Sequence, residues 1–403
     1  MHAAMTKKAI ILRSSAAVLV ATGLGLGCAA AAGGGATSEQ QRIAALSASD
    51  VGLCFPSSIT PPSAVNTEVL TGLLVAVRPA VMECLVSPQS RGAAQETTVN
   101  LKTTAGGGKL QHNISGPNLT PEGAVCVKEA LDRHFAAVQG FAALAAAANP
   151  PVSGEAQVTH KAGVSPTVRL GENESSDVAG AVRLAQTTWC ECYEPWKAAA
   201  PHPLNATLSS QGGMALTAKF EPAADPASQK VAECLSGKIS DVKFTARSSQ
   251  INVPYTFMFV HSGNAAPLTD VPPEVQIRQL DGVRTQRAAR AVIALGGRMA
   301  AAQAYDALGK KYNAAPDSVP VEDLTKGCAA LLATDDAWLE TLNQQLEIDE
   351  QTLALVQQLK AKDAEWGRAE EASKNAVDVT KQDIETAKQM KTGDAGACPR
   401  DAK

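Results

Sequence analysis

Aromatic residues are scarce, 4% of 403 positions. One large aromatic core is therefore excluded, and a chain of this length is better served by several small cores, meaning more than one domain. Long apolar runs are also lacking: beyond the first 28 residues none reaches the ~20 positions that a membrane-spanning helix needs. Nor is there a basic excess. Lys and Arg number 36 against 40 Asp and Glu, a formal charge of −4. If the leader is lost, three basic residues go with it and the balance becomes 33 − 40 = −7. A mildly acidic chain does not neutralise phosphates, so nucleic acid is not an expected partner.

Signatures of catalysis are missing too. None of His2, His112, His134, His160, His202 and His261 belongs to a metal-binding pattern such as HExxH, and they read as solvated or internally satisfied. There is no Gly-x-Ser-x-Gly elbow and no phosphate loop; the glycines at 23, 25 and 27 follow no strand. The acidic pairs Asp335-Asp336 and Glu370-Glu371 lie on helical sequence and read as solvated faces. The expectation is a protein that is not an enzyme and carries no cofactor.

What is present begins with an export signal. Lys7, Lys8 and Arg13 precede the short charge-free run from Ala16 to Leu26, followed by small residues. Two endings are open. Leu24-Gly25-Leu26-Gly27-Cys28 resembles a bacterial lipoprotein box with its Leu displaced by one place, which implies lipidation at Cys28 and, with Ala29 behind it, the outer membrane. The other ending is ordinary cleavage within Ala29 to Ala36. Either way eight of the nine cysteines remain, an even number suited to an oxidising compartment.

A repeat organises the middle of the chain. Ala76-Val77-Arg78 and Ala181-Val182-Arg183, Gly107-Gly108 and Gly212-Gly213, and Thr120-Pro121 and Asp225-Pro226 all stand 105 residues apart. Cys84 to Cys126 and Cys192 to Cys234 each span 42 positions, which pairs them as disulfides, yet they stand 108 apart. Three residues is close to one helical turn, so the second pair can be the first moved one turn along both helices. Strictly antiparallel helices would separate such a pair by roughly 11 Å and make Cys190 the better partner for Cys234.

Each copy reads helix, strand, strand, helix, strand. The first helix carries Val69, Leu70, Leu73, Leu74, Val77 and Val81 at helical spacing, with Pro79 expected to kink or interrupt it. Glu96 to Leu101 and Lys109 to Ile114 alternate around glycines as a hairpin. Thr120-Pro121 and Asp225-Pro226 are good helix starts. The closing strands are Glu155 to Lys161, after an Ala-rich stretch from Ala136 to Asn149, and Ile251 to Val260.

The order Cys, strand pair around glycines, Cys126-Val127-x-x-Ala130-Leu131, Phe135, and a last strand Val253-Pro254-Tyr255-Thr256-Phe257-Met258-Phe259 resembles the TonB C-terminal-like modules of the AgmX/PglI type. The resemblance covers residues 65–262. It implies a small α+β fold of myxobacterial envelope proteins that binds partners and performs no chemistry. Pro79, the Ala-rich insertion and the extra Cys190 depart from the pattern.

From Pro272 onward the composition turns to Ala, Gln, Glu, Lys and Leu, which predicts helices: Val275 to Tyr312, weakened at Gly296-Gly297, a loop to Pro320, and Val321 to Met390. Leu339, Leu342, Leu346, Leu353, Val356 and Leu359 form a narrow stripe fit for a helix hairpin or coiled coil. If Cys328 pairs with Cys398, the chain must reverse, near Ala361 to Arg368, because a straight helix over that stretch would hold the ends on the order of 100 Å apart. Cys54 and Cys190 are then left to pair by elimination.

The expected whole is an α+β chain: a signal at 1–28, a tether at 29–64, modules at 65–162 and 163–264, and a helical hairpin or bundle at 272–403. The expected work is binding or scaffolding of envelope proteins by strand addition or helix packing, with the membrane reached through a lipid anchor. The alternative is a thiol-based redox or metal-binding periplasmic protein using Cys190, Cys192 and Cys234.

Overall fold

The computed structural model describes residues 54, 59, 62, 64–94, 96–161, 174–196, 203–212, 214–244, 250–257, 273–362 and 364–398. The signal segment with Cys28, the start of the tether and the strand residues 258–260 lie outside them. The fold is α+β, with two three-stranded antiparallel sheets and a C-terminal helical region.

The first module opens with α1 (Thr67–Ala76) and α2 (Arg78–Val86). Asn66 caps α1, its side chain accepting from the Val69 amide at 3.0 Å. Pro79 interrupts the helical run as expected: α1 ends before Val77, and the proline stands in the first turn of α2, where its missing N–H costs nothing. A short turn, α3 (Pro88–Arg91), leads to β1 (Glu96–Gly106) and β2 (Lys109–Ser115). Gly107 and Gly108 both have positive φ, 61° and 80°, which is what the two-residue hairpin closed by the Gly106–Lys109 pair requires.

Then come α4 (Pro121–Ala137), α5 (Phe141–Ala146) and β3 (Val152–Lys161). The strand order is β2-β1-β3. Thr97, Val99, Leu101, Thr103 and Ala105 point into the core, under α1, α2 and α4. The opposite face is open, and polar neighbours pair across it: Thr98 with Thr159, Gln157 with Asn100, Lys102 with Glu155 and Thr104 with Ser153.

The second module repeats the plan: α6 (Glu174–Gln186), a 3-10 helix (Cys190–Trp196), β4 (Leu204–Gln211), β5 (Thr217–Phe220), α7 (Pro226–Ile239) and β6 (Gln250–Phe257), with strand order β5-β4-β6. Leu101 pairs with Ala156 in the first sheet and its counterpart Ala206 with Tyr255 in the second, separations of 55 and 49 positions. The excess of six equals the length of α5. The second hairpin is connected differently: its last pair is Ser209–Thr217, the Met214 amide donates to the Gln211 carbonyl at 3.0 Å, and Leu216 is buried.

The 108-residue offset of the cysteines has a local cause that differs from the expected turn-for-turn shift. Cys234 has moved one turn along α7, where Val231 takes the position of Cys126. Cys192 has moved because α6 stops at Gln186 and the chain winds into the 3-10 helix. Only one of the two cysteines therefore lies on an α-helix.

The helical region comprises α8 (Pro273–Ala314), α9 (Val321–Lys360) and α10 (Gly367–Ala397). The chain reverses at 361–366, in the expected place. The helix α8 is continuous through Gly296, contrary to the expected weakness. Glycine stands there because α1 lies against it: a Cβ on Gly296 would meet the Asn66 Oδ1 and Val69 Cγ2 atoms at 2.8 Å. Asn66 Nδ2 donates to the Gly296 carbonyl (2.8 Å), and Gln286 Nε2 donates to the Ala76 carbonyl at the end of α1 (2.7 Å). Ala289 and Ile293 belong to the first module's core. The bundle thus closes one side of that module.

Candidate functional site

Three kinds of feature compete as sites: the cysteines, the sheet edges and the buried charges. The structure brings the cysteines together in four pairs. Cys84 and Cys126 are 5.8 Å apart between Cα atoms, joining α2 to α4. Cys192 and Cys234 (5.4 Å) join the 3-10 helix to α7. Cys328 and Cys398 (5.8 Å) close the α9–α10 hairpin, and Cys54 and Cys190 (5.0 Å) join the segment before the first module to the second module. Such pairs are compatible with an oxidising compartment.

The modules meet along α2 and α6. Arg183 Nε lies 3.3 Å from Glu83 Oε2, both side chains almost fully buried. Arg133 on α4 donates to the Thr187 carbonyl (2.9 Å) and to Cys190 Sγ (3.4 Å). Neither Glu83 nor Arg133 stands out in the sequence. Arg183 does, as the repeat partner of Arg78, but the spacing carries no sign of its partner.

Each sheet ends in two edge strands. Among the described residues the longest hairpin strand that pairs on one side only is β2, with Gln111, Asn113 and Ser115 exposed and Leu110, His112 and Ile114 only half-buried. Beside it runs α4. His112 Nδ1 is 2.8 Å from Thr103 Oγ1, its Nε2 is 3.8 Å from Asp132 Oδ1, and its ring lies 4.9 Å from that of Phe135. Burial lowers the pKa of His112, and Asp132 opposes the shift. Val125 lies seven residues before Asp132, on the same helix face. It is 58% exposed, so the strip between β2 and α4 has an uncovered apolar end.

Of the two readings open for His134, solvated or internally satisfied, the structure shows the buried one. His134 sits inside the first core, edge-on to Phe135, and burial lowers its pKa to about 4. The acidic pairs need correction. Asp335 is fully buried rather than solvated: Arg298 donates to it at 3.0 Å and also binds Asp394. Burial raises the Asp335 pKa, with Arg298 opposing and Asp394 adding to the shift. Glu370 is nearly buried between Lys360 and Lys374, while Asp336 is exposed and paired with Lys391.

A second polar centre surrounds Asp349, which accepts from Arg284 (2.6 Å), Gln345 (3.1 Å) and Thr380 (2.8 Å). The signal for both centres was present. Buried positions on α9 are Leu324, Cys328, Leu331, Asp335, Trp338, Leu342, Gln345, Asp349, Thr352, Val356 and Leu359, alternating by four and three. A heptad count that admits polar residues finds Asp335 and Asp349 on the seam.

No described helix is long and apolar enough to cross a membrane. Comparisons with protein-family models, with curated proteins and with solved structures find no match to this chain.

Proposed function

We propose that this protein is an exported, non-enzymatic envelope protein, anchored by lipid at Cys28, that binds or scaffolds other envelope proteins. The two modules work as TonB C-terminal-like adaptors and the helical bundle as a spacer and packing surface. The observation that carries the reading is the open β2 edge beside α4. A partner's strand added there gains a ladder of backbone hydrogen bonds. Alternate side chains of that strand would lie over Leu110, Ile114 and the exposed Val125, which supplies selectivity. The four disulfides support export, because such bonds form in an oxidising compartment and hold small modules rigid there.

Site-specific photo-crosslinking from Gln111 and Asn113 in intact cells tests the binding edge. One discrete envelope partner, lost on Val125→Glu with the fold retained, supports the proposal. Crosslinks that ignore Val125→Glu, or none at all, reject this edge. The mass of the amino-terminal residue tests the anchor: diacylglycerol on Cys28 supports it, and a free amine within residues 29–36 removes it.

The alternative, a thiol or metal function of Cys190, Cys192 and Cys234, has a specific hurdle. Cys190 is bonded to Cys54 and Cys192 to Cys234, so that function starts only after two bonds are reduced.

A further inference from the structure

Three of the four disulfides are sheltered on at least one side: Cys84 and Cys328 are fully buried, and Cys192 is 1% exposed. Cys54 and Cys190 differ, since both are only half-buried. Among the described residues the pair is also the only one of the four whose sulfur receives a hydrogen bond from a guanidinium, that of Arg133 to Cys190 Sγ at 3.4 Å. Arg133 is held in place by the Thr187 carbonyl and by Glu129 at 3.9 Å. A fixed cation beside a sulfur stabilises the thiolate, so Cys190 is the better leaving group of the two.

The position of the bond gives its opening a consequence. Cys54 packs against the second module's core, whereas Ile59, five residues later, is buried in the first module's core. Two residues close in sequence thus belong to the cores of different modules. The bond also closes the longest loop of the four, 136 residues, and that loop contains the whole first module.

We infer that Cys54–Cys190 is an exchangeable disulfide, opened by a dithiol reductant of the thioredoxin-like class, and that its opening releases the strap holding the modules together. One thiolate of the dithiol attacks Cys54 Sγ; the Cys54–Cys190 bond breaks, and Cys190 leaves with the electron pair beside Arg133. The second thiol of the dithiol then displaces Cys54. The dithiol is oxidised to its disulfide, and both cysteines are reduced, the two electrons and two protons passing from one pair to the other. The inference does not depend on the binding edge proposed above.

The test uses the full-length mature protein and a limiting concentration of dithiothreitol, with quenching by iodoacetamide and peptide mapping over time. Cys54 and Cys190 are expected to label about tenfold or more ahead of the other six cysteines. Arg133→Ala slows that labelling while the near-ultraviolet circular dichroism is retained, and Arg133→Lys, which keeps a cation, restores part of the rate. Hydrogen exchange in α2 and α6, around Glu83 and Arg183, rises as the bond opens. Earlier opening of another bond, simultaneous opening of all four, or a rate indifferent to Arg133 would overturn the exchange. Unchanged protection in α2 and α6 would overturn the strap.

Discussion

The two modules share one plan and fill it with different side chains. Among its described residues the first core is mostly aliphatic, with Phe135 and Phe141 as its only Phe, Tyr or Trp side chains and His134 beside Phe135. The second packs Trp189, Tyr193, Trp196, Tyr255 and Phe257 into a smaller set of elements. Large rings bury more apolar surface per residue, so fewer residues close the second core. The aliphatic core has to recruit cover instead: it adds α5 and takes Ala289 and Ile293 from α8. A repeat therefore fixes topology without fixing how each copy is stabilised.

The largest expected break is on the aromatic side. Trp196 is 1% exposed, and its Nε1 donates to Ser228 at 3.0 Å in the interior. Trp196→Ala should cost about 3–5 kcal/mol through the large cavity it leaves. Chemical denaturation followed by hydrogen exchange should then show the second module opening first, with the first module's protection kept. Equal loss in both modules would mean that the cores are one cooperative unit.

Acid sharpens the comparison from the other side. Position 134 is His in the first module; its counterpart 105 residues on is Ile239, equally buried. Folding depresses the His134 pKa from 6.5 to about 4, so the unfolded chain holds the proton more tightly. The contribution is complete above pH 6.5 and is lost as the pH falls from about 6.5 to about 4, on the order of 3 kcal/mol in all. His112 shifts in the same direction. Urea midpoints measured between pH 7 and pH 4 should fall for the first module, and His134→Leu should flatten that slope. A slope unchanged in the variant would place the acid sensitivity elsewhere.

Much of this was legible in the sequence where local chemistry dictates it. The sequence of elements in each module follows from alternation and the glycine turn, the helix starts from Thr120 and Asp225, and the interruption of the first helix from Pro79. The chain reversal between α9 and α10 follows from the spacing of Cys328 and Cys398. What was not legible depends on neighbours distant in the chain. Gly296 reads as a weak point because sequence alone cannot show α1 lying against it, and whether His134 is solvated or internally satisfied stays open because its helix face is set by packing. Asp335 reads as surface because acidic residues usually are, and only its place in the heptad argues otherwise. The edge at β2 is half legible: alternation gives the strand, but which side stays open depends on where α4 comes to rest.

Among the described residues the extensive contact between α8 and the first module has no equivalent of that size in the second, and it can be removed by itself. Gly72→Ala would bring a Cβ to 2.6 Å from Ile293 Cγ1 and 3.0 Å from the Ala289 carbonyl. The side chain can yield, but the carbonyl belongs to a continuous helix and yields little. About 1–3 kcal/mol of destabilisation is expected, together with increased exchange of the α1 amides and unchanged exchange in α6. An unperturbed α1 would show that the bundle merely lies against the module without supporting it.

The smallest difference concerns the helix starts, where the two copies use different caps for one task. Thr120 Oγ1 accepts from the Gly123 amide at 3.1 Å and itself donates to the Gln89 carbonyl at 2.6 Å. Asp225 accepts from the amides of Ala227 (2.8 Å) and Ser228 (2.9 Å) and from the Ser228 hydroxyl (2.6 Å), the same hydroxyl that receives the Trp196 N–H. Removing either cap should cost roughly 0.5–2 kcal/mol. Asp225→Ala should lie at the upper end, since it frees a hydroxyl that orients a buried indole as well as two amides. A double-mutant cycle of Asp225→Ala with Trp196→Phe isolates that connection. Because the two residues share Ser228, their effects should fall short of additivity by about 0.5 kcal/mol or more. Strict additivity would reduce Asp225 to a simple cap and leave aromatic packing alone to distinguish the second module from the first.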